Sequence, residues 1–590
     1  MRLSAFAFLF TAALTSTANA ASPTGLTTIA EQSGYKRTGR YDEVERLCQV
    51  FQQRWPQQVR CFEFGRSPEG RPMLALAASS DGTLDASAAR SKQRTVALMQ
   101  GGIHSGEIDG KDAGFLALRE MLEGRAAKDA LSRVTFVFVP VFSVDGHERF
   151  GRWNRPNQVG PEEMGWRTTA QNLNLNRDYT KADAPETQAM LRLLNEWDPV
   201  LYVDLHVTDG AEFQHDISYG VAPTLAGDPA LTAVAIKLQD ELMRKISAQG
   251  SLPVDFYPAF VIDDDPQSGF AVSVGPARFS HQYWAERNRI GVLVETHSWK
   301  DYPTRVRITR NSIVAMMELA AANGSEWQQA ARAADERAAQ IGGSSETLVY
   351  GNGDHVRTID FLGYEYTREP SAISGTLMTR YNNKRPQVWK IPLRDTVQPV
   401  VSVVAPRGGY IIPAAYAQET QAKLALHGIE IHPLASALKG TDVETFRATS
   451  TKTASSTFEG RTPLTLEGAW RHEPRDIPAG SLFVPIAQPK AHLVMTLLEP
   501  RDPDSLVSWG FFSASFERKE YMEAYVAEAV AEDMLKKDPA VKKEFERRLA
   551  EDPAFAQSPS ERLDFFYRRH SAWDDRFNLY PVYRTETVLK

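Results

Sequence analysis

The chain has 590 residues, several times the usual size of one domain, so two or three hydrophobic cores are expected and a small disulfide scaffold is excluded. Hydrophobic residues make up 42% and charged residues 24%, the mix of an ordinary globular protein. The net charge of -7 is spread without a long basic run, which argues against a nucleic-acid partner. In chain order, the first segment is residues 1–20: Arg2 gives a positive start, Ala5 to Leu14 is apolar, and Ala18-Asn19-Ala20 is an A-x-A cleavage pattern. This reads as a cleavable signal peptide, and implies a periplasmic or secreted protein. Its apolar stretch is about half the roughly 20 residues that cross a bilayer, and no later segment could span one, so no membrane span is expected after signal cleavage.

Two cysteines follow, Cys48 and Cys61. An oxidising compartment would let them close one short loop. The other reading is two separately buried thiols, because sequence spacing does not show whether their Cα atoms approach.

Residues 35–345 alternate apolar, strand-like runs with amphipathic helical segments, the pattern of an α/β layered domain. Candidate strands are Met73 to Ala78, Thr95 to Met99, Thr135 to Phe142, Val200 to Leu205 and Gly291 to Val294. One helix begins near Gly110 and lines up Phe115, Leu118, Met121 and Leu122, and another begins at Pro185, an acceptable first-turn proline. A long helix over 311–340 ends at Gly342-Gly343, after which short β-like runs such as Val400 to Val404 and Tyr410 to Ile412 take over. The division expected is therefore signal peptide 1–20, first domain 21–345, α+β accessory domain 346–510 and helical C-terminal segment 511–590. The last contains helices over 521–535 and 541–549, separated at Asp538-Pro539.

Reactive side chains fall where apolar strands end. TVALMQ leads into GGIHSGE, VLYVDL into His206, and GVLV into Glu295. In open α/β sheets, ligands bind beyond the carboxyl ends of the strands. His104 and Glu107 are separated by Ser105-Gly106, a small pair that lets the backbone turn so that imidazole and carboxylate face one ion. Zinc suits such a set: a catalytic site takes three protein ligands and leaves one position open, and His206, arriving from a separate strand, is the best third ligand.

These features, taken in order, resemble the zinc carboxypeptidase family of metallopeptidases (M14). Its pattern is H-x-x-E, N-P-D-G, an arginine-rich tryptophan segment, an N-R pair, a lone histidine after a strand, and a glutamate near the domain's end. This chain offers HSGE at 104–107, SVDG at 143–146, GRWNR at 151–155, NLNRD at 174–178, DLH at 204–206 and VETH at 294–297. The resemblance covers roughly residues 35–340 and implies a mixed sheet with helices on both faces. It implies a metallocarboxypeptidase with a single Zn2+ on His104, Glu107 and His206, a water as nucleophile, and Glu295 as general base. It also implies that Asn176 and Arg177 hold the substrate's terminal carboxylate, a task suited to the guanidinium fork. Arg155 is the expected oxyanion arginine, and Tyr283 stands as the candidate for the family's tyrosine, with Tyr257 farther from Glu295. Asp263-Asp264-Asp265 is read as a solvated turn, with a pocket for a basic side chain as the other reading. The expected partner is a peptide or a peptidoglycan stem. Competing readings are a zinc-dependent deacylase of N-acyl amino acids and an exported, non-catalytic binding protein on the same scaffold.

Overall fold

The protein is described by a computed structural model covering residues 23–589; the segment 1–20, read from sequence as a signal peptide, lies outside the described residues. An eight-stranded mixed sheet organises the first half, in the spatial order β1-β2-β4-β3-β5-β9-β6-β7. Its strands are β1 (Val59–Arg66), β2 (Pro72–Ala78), β3 (Thr95–Gly101), β4 (Val134–Val139), β5 (Leu201–Val207), β6 (Ile217–Ala222), β7 (Pro253–Val254) and β9 (Ile290–Thr296), with a short β8 (Phe270–Ala271) outside it. At the centre, β4, β3, β5 and β9 run parallel, while β2 and β6 join antiparallel on either side. Every residue of β3, β4 and β5 is buried. Such nearly continuous buried runs are what a sheet covered on both faces requires.

Helices Asp109–Leu122, Pro185–Trp197, Pro229–Ala248 and Tyr302–Ala338 pack on this sheet. The last starts at Tyr302 rather than near 311, because Asp301 caps it by accepting the Thr304 N–H and Pro303 occupies its first turn. One fully buried ion pair ties these parts together: Arg305 Nε lies 2.9 Å from Asp109 Oδ2, and Thr296 at the end of β9 donates to the same oxygen. Cys48, in helix Tyr41–Arg54, and Cys61, in β1, form a disulfide with Cα atoms 5.4 Å apart.

The second half does not stand apart. Strand β10 (Ser345–Asn352) pairs with β13 (Val397–Val404), and the long hairpin of β11 (Arg357–Pro370) and β12 (Leu377–Arg394) continues onto β8 through Leu393 and Phe270. Phe361, Trp389, Ile391 and Leu393 of that hairpin share a buried cluster with Phe213, Phe256 and Phe270. A six-stranded sheet runs β15-β18-β14-β19-β16-β17, from β14 (Gly409–Ile412), β15 (His432–Pro433), β16 (Leu438–Thr453), β17 (Leu464–Ile477), β18 (Leu482–Pro485) and β19 (Leu579–Thr585).

The position of β19 corrects the expected boundary at 511. The C-terminal segment holds helices Ala524–Lys537, Pro539–Glu551, Pro553–Gln557 and Pro559–Tyr567, but it then returns as β19 between β14 and β16. Burial explains the return: Tyr580 and Val582 are fully buried, and Arg584 pairs with the buried Glu499 at 2.6 Å. The main hydrophobic cluster also runs without a break from the first sheet to Tyr410, Leu482, Val494 and Tyr580. Among the described residues, no helix is long and apolar enough to cross a membrane.

Candidate metal centre

Strand β3 ends at Gly101, and the chain turns so that the Glu107 N–H donates to the His104 carbonyl at 2.9 Å, which puts both side chains on one side of the loop. Gly106 at this turn is forced by contact, since a Cβ there would lie 2.5 Å from Arg155 Cγ and 2.8 Å from the Gly165 carbonyl oxygen. His206 comes from β5, where it pairs in register with Glu295 of β9. His104, Glu107 and His206 are all buried, and one donor atom from each lies within 4.8 Å of the others.

The orientation of the two imidazoles fits a metal. Nδ1 of His104 lies 3.0 Å from Glu107 Oε1, and Nδ1 of His206 lies 2.8 Å from Glu107 Oε2. The outward nitrogens are both engaged: His104 Nε2 lies 3.0 Å from Asn174 Oδ1, and His206 Nε2 lies 2.9 Å from Asp204 Oδ2. Metal-binding histidines commonly donate the far N–H to a carboxylate or carbonyl, which fixes the tautomer and turns the lone pair inward. Two imidazole nitrogens and a carboxylate are the donor set of a catalytic zinc site.

The charge states agree with that reading. Burial drops His104 to about 4, so its ring is neutral. Burial works against an ionised Glu107, but Arg155, then His104 and His206, outweigh it and hold this carboxyl well below its ordinary range. Burial likewise disfavours a protonated His206, yet Asp204 and then Glu107 raise it well above the usual imidazole value. A cation bound by these residues would take the place of that proton.

A cleft of about 400 Å³ opens over the three side chains, with Glu295, Asn176, Arg177 and Tyr257 in its lining and Val221, Val274 and Leu293 among its apolar walls. Glu295 is buried, and its Oε2 has no hydrogen-bond partner among the described residues. Burial pushes its carboxyl up to about 8, with His206 opposing and Glu107 and Asp209 adding to the rise. Asn176 lies in the short turn Leu175–Arg177, accepts the Ser280 N–H through Oδ1 at 3.0 Å, and brings Nδ2 to 3.4 Å from His206 Nε2. The Arg177 guanidinium packs 4.3 Å over the Phe279 ring and donates to the Asn176 carbonyl at 2.8 Å. Burial, then Arg167, lowers its pKa, with Glu459 opposing, so a carboxylate entering the cleft would add a further favourable partner.

Two expectations need correction. Tyr283 is fully buried, lies outside the cleft lining and meets His427 Nδ1 through its hydroxyl at 2.9 Å; the tyrosine facing the cleft is Tyr257, whose hydroxyl is 3.5 Å from Asp209 Oδ1. Arg155 is also outside the lining: its Nη2 lies 3.0 Å from Glu107 Oε1, so it anchors the carboxylate. Besides Arg177, the arginine that lines the cleft is Arg167, with Nη1 3.4 Å from the same oxygen. The adjacency of Trp166 and Arg167 carried that signal, since the family pattern sets its arginine beside a tryptophan. Asp263-Asp264-Asp265 lies outside the cleft lining, with Asp265 paired to Arg368 at 2.6 Å. His147, His215 and His297 are held elsewhere, by the Gly39 carbonyl, the Leu252 carbonyl and a stack on Phe213.

A mixed sheet with a His-Glu-His cluster at its strand ends, under a cleft holding an asparagine-arginine pair, is a metallopeptidase-like arrangement. Residues 44–223 match the family model described as zinc carboxypeptidase. The matched stretch holds His104, Glu107, Arg167, Asn176, Arg177 and His206, and stops before Glu295. Among solved structures, similar chains include a metallo-carboxypeptidase from Burkholderia cenocepacia (16% identity, 48% of this chain and 69% of that one, TM-score 0.35). Another is carboxypeptidase A from Helicoverpa armigera (18% identity, 50% and 74%, TM-score 0.34). A third is a metallo-carboxypeptidase from Pseudomonas aeruginosa (14% identity, 48% and 69%, TM-score 0.34). No curated protein matches the chain.

Proposed function

We propose that this protein is a zinc-dependent metallocarboxypeptidase that removes C-terminal residues from peptides, with Glu295 as general base. The observation that carries the reading is the shared cleft: the His104, Glu107 and His206 donor atoms lie within 4.8 Å of one another beneath an opening that Glu295 and Arg177 also line. His104, Glu107 and His206 would hold a zinc ion, which would supply Lewis-acid polarisation of the carbonyl and lower the pKa of water to about 7. The residues of the chain do the rest. Arg177 takes the terminal carboxylate, which fixes the last peptide bond over the histidines. Glu295 Oε2 accepts a proton as water adds to the carbonyl carbon, and returns it to the amine nitrogen as the C–N bond breaks. Arg167 donates to the carbonyl oxygen as negative charge grows there.

The Cys48–Cys61 disulfide and the leader pattern at 1–20 support action outside the cytoplasm, in the periplasm or medium. A peptide substrate follows from the family, and the peptidoglycan stem is its cell-wall form. Incubating the mature protein with a mixed peptide library, with and without a chelator, tests the reading by mass spectrometry. Chelator-sensitive loss of single C-terminal residues is expected; internal cleavage, or trimming that survives the chelator, contradicts it.

A further inference from the structure

The loop joining β16 to β17 leaves the accessory sheet, and its tip seats against the first domain beside the metal centre. Phe458 and Arg461 bond to each other across the tip, at 2.8 and 3.1 Å, so Glu459 and Gly460 are the central residues of a two-residue turn. Both have left-handed backbones, with φ of 49° and 77°. A turn of this kind favours Asn, Asp or Gly at its first central position. Glutamate is uncommon there, and an unfavourable backbone kept in place points to something the side chain does.

The side chain reaches the peptidase site. Glu459 Oε2 accepts the backbone N–H of Asn174 at 2.9 Å. Asn174 Oδ1 lies 3.0 Å from His104 Nε2 and accepts the Asn176 N–H at 3.0 Å, while Asn176 contacts His206 and precedes Arg177. One short loop thus orients both histidines and the arginine, and Glu459 holds its first residue. The tip itself is clamped on both flanks. Phe458 stacks on Trp509 at 5.9 Å with Arg278 over both rings, and Arg461 makes two 2.8 Å bonds to Asp183. The Glu459 charge also acts on Arg177, opposing burial and the repulsion from Arg167 and Arg278.

We propose that Glu459 is a positioning residue for the peptidase site, through which the accessory region sets the loop at 174–177 and forms one catalytic unit with the first domain. The role assigned to that loop rests on the carboxypeptidase reading. It explains why a peptidase domain is joined to the second half of this chain.

The test uses the full mature chain and two variants. Glu459→Gly keeps a residue the turn favours and removes the carboxylate; Glu459→Gln keeps an oxygen acceptor. Hydrogen exchange at the Asn174 amide, Zn2+ affinity against a chelator, and kcat and KM on a peptide with a free C-terminus are measured. Glu459→Gly is expected to melt as the parent does, to exchange faster at Asn174, to bind Zn2+ about tenfold more weakly and to raise KM more than it lowers kcat, with Glu459→Gln intermediate. Parent-like exchange, Zn2+ affinity and KM in Glu459→Gly overturn the proposal, as does a lower melting temperature with no change in those three. A parent protein that trims no peptide defeats the carboxypeptidase reading alone, because exchange and Zn2+ affinity still decide the role of Glu459.

Discussion

The two large sheets solve different problems. In the eight-stranded sheet, β3, β4 and β5 are buried along their whole length, and the polar residues Asp204 and His206 of β5 pair with each other at 2.9 Å. In the six-stranded sheet, β16 and β17 mix exposed and buried positions along their length, as antiparallel strands with one wet face do. The first arrangement removes water from a cluster of ionisable groups and so moves their charge states. The second offers edges and hairpins that reach across to the first. The candidate site therefore sits at the parallel strand ends, and the antiparallel part contacts it from outside.

The largest effect should come from the strand-end cluster. His104→Ala is expected to lose both metal and peptide trimming, checked by metal analysis and turnover; an active His104→Ala enzyme would mean that the cluster is structural. Next in size are two of the buried ion pairs, one from each region. Removing Arg305 or Arg584 leaves Asp109 or Glu499 as an unpaired buried carboxylate, with an expected loss of about 3–5 kcal/mol in denaturant unfolding. Both variants should show one shared transition, because the main core is continuous. Two separate transitions would divide the regions more sharply than this account does.

Cys48→Ser with Cys61→Ser opens a short loop within the first region and should cost about 2–4 kcal/mol, read as a lower melting temperature under non-reducing conditions. Arg177→Lys keeps the charge but loses the guanidinium fork, so KM should rise by about tenfold with kcat less affected. The smallest effect concerns pH in the metal-free protein. Burial holds Glu295 at about 8 against an ordinary 4.5, so the folded state binds this proton more tightly than the unfolded chain. The stability so gained is present below about 4.5 and is lost as pH rises through about 8. Glu295→Gln should flatten the fall in melting temperature over that window, and an unchanged slope would assign the pH response to other groups.

Much of the first region was legible because its signals are strong and local. Mostly apolar runs marked β2, β3, β4, β5 and β9, and the order of HSGE, NLNRD, DLH and VETH singled out His104, Glu107, His206, Asn176, Arg177 and Glu295, which share one cleft. Arg155 and Tyr283 went astray for a physical reason: sequence distance from a motif does not say whether a side chain faces solvent or core. The glycine-rich fold-back at 151–165 turns Arg155 onto Glu107, and helix Ser280–Ala285 points Tyr283 inward. The second half was hidden because its strands pair over long separations. The most distant case is β19, whose place between β14 and β16 depends on partners more than 120 residues away. Glu459 was invisible for the same reason, since its role appears only once the turn meets Asn174.

The most direct test is to measure zinc content and turnover of Glu295→Gln side by side with the parent protein. The account predicts parent-like zinc with peptide trimming reduced by about 10²-fold or more, since Glu295 handles the proton and is not among the metal residues. Trimming at the parent rate, or a parent protein that binds no zinc, would contradict it.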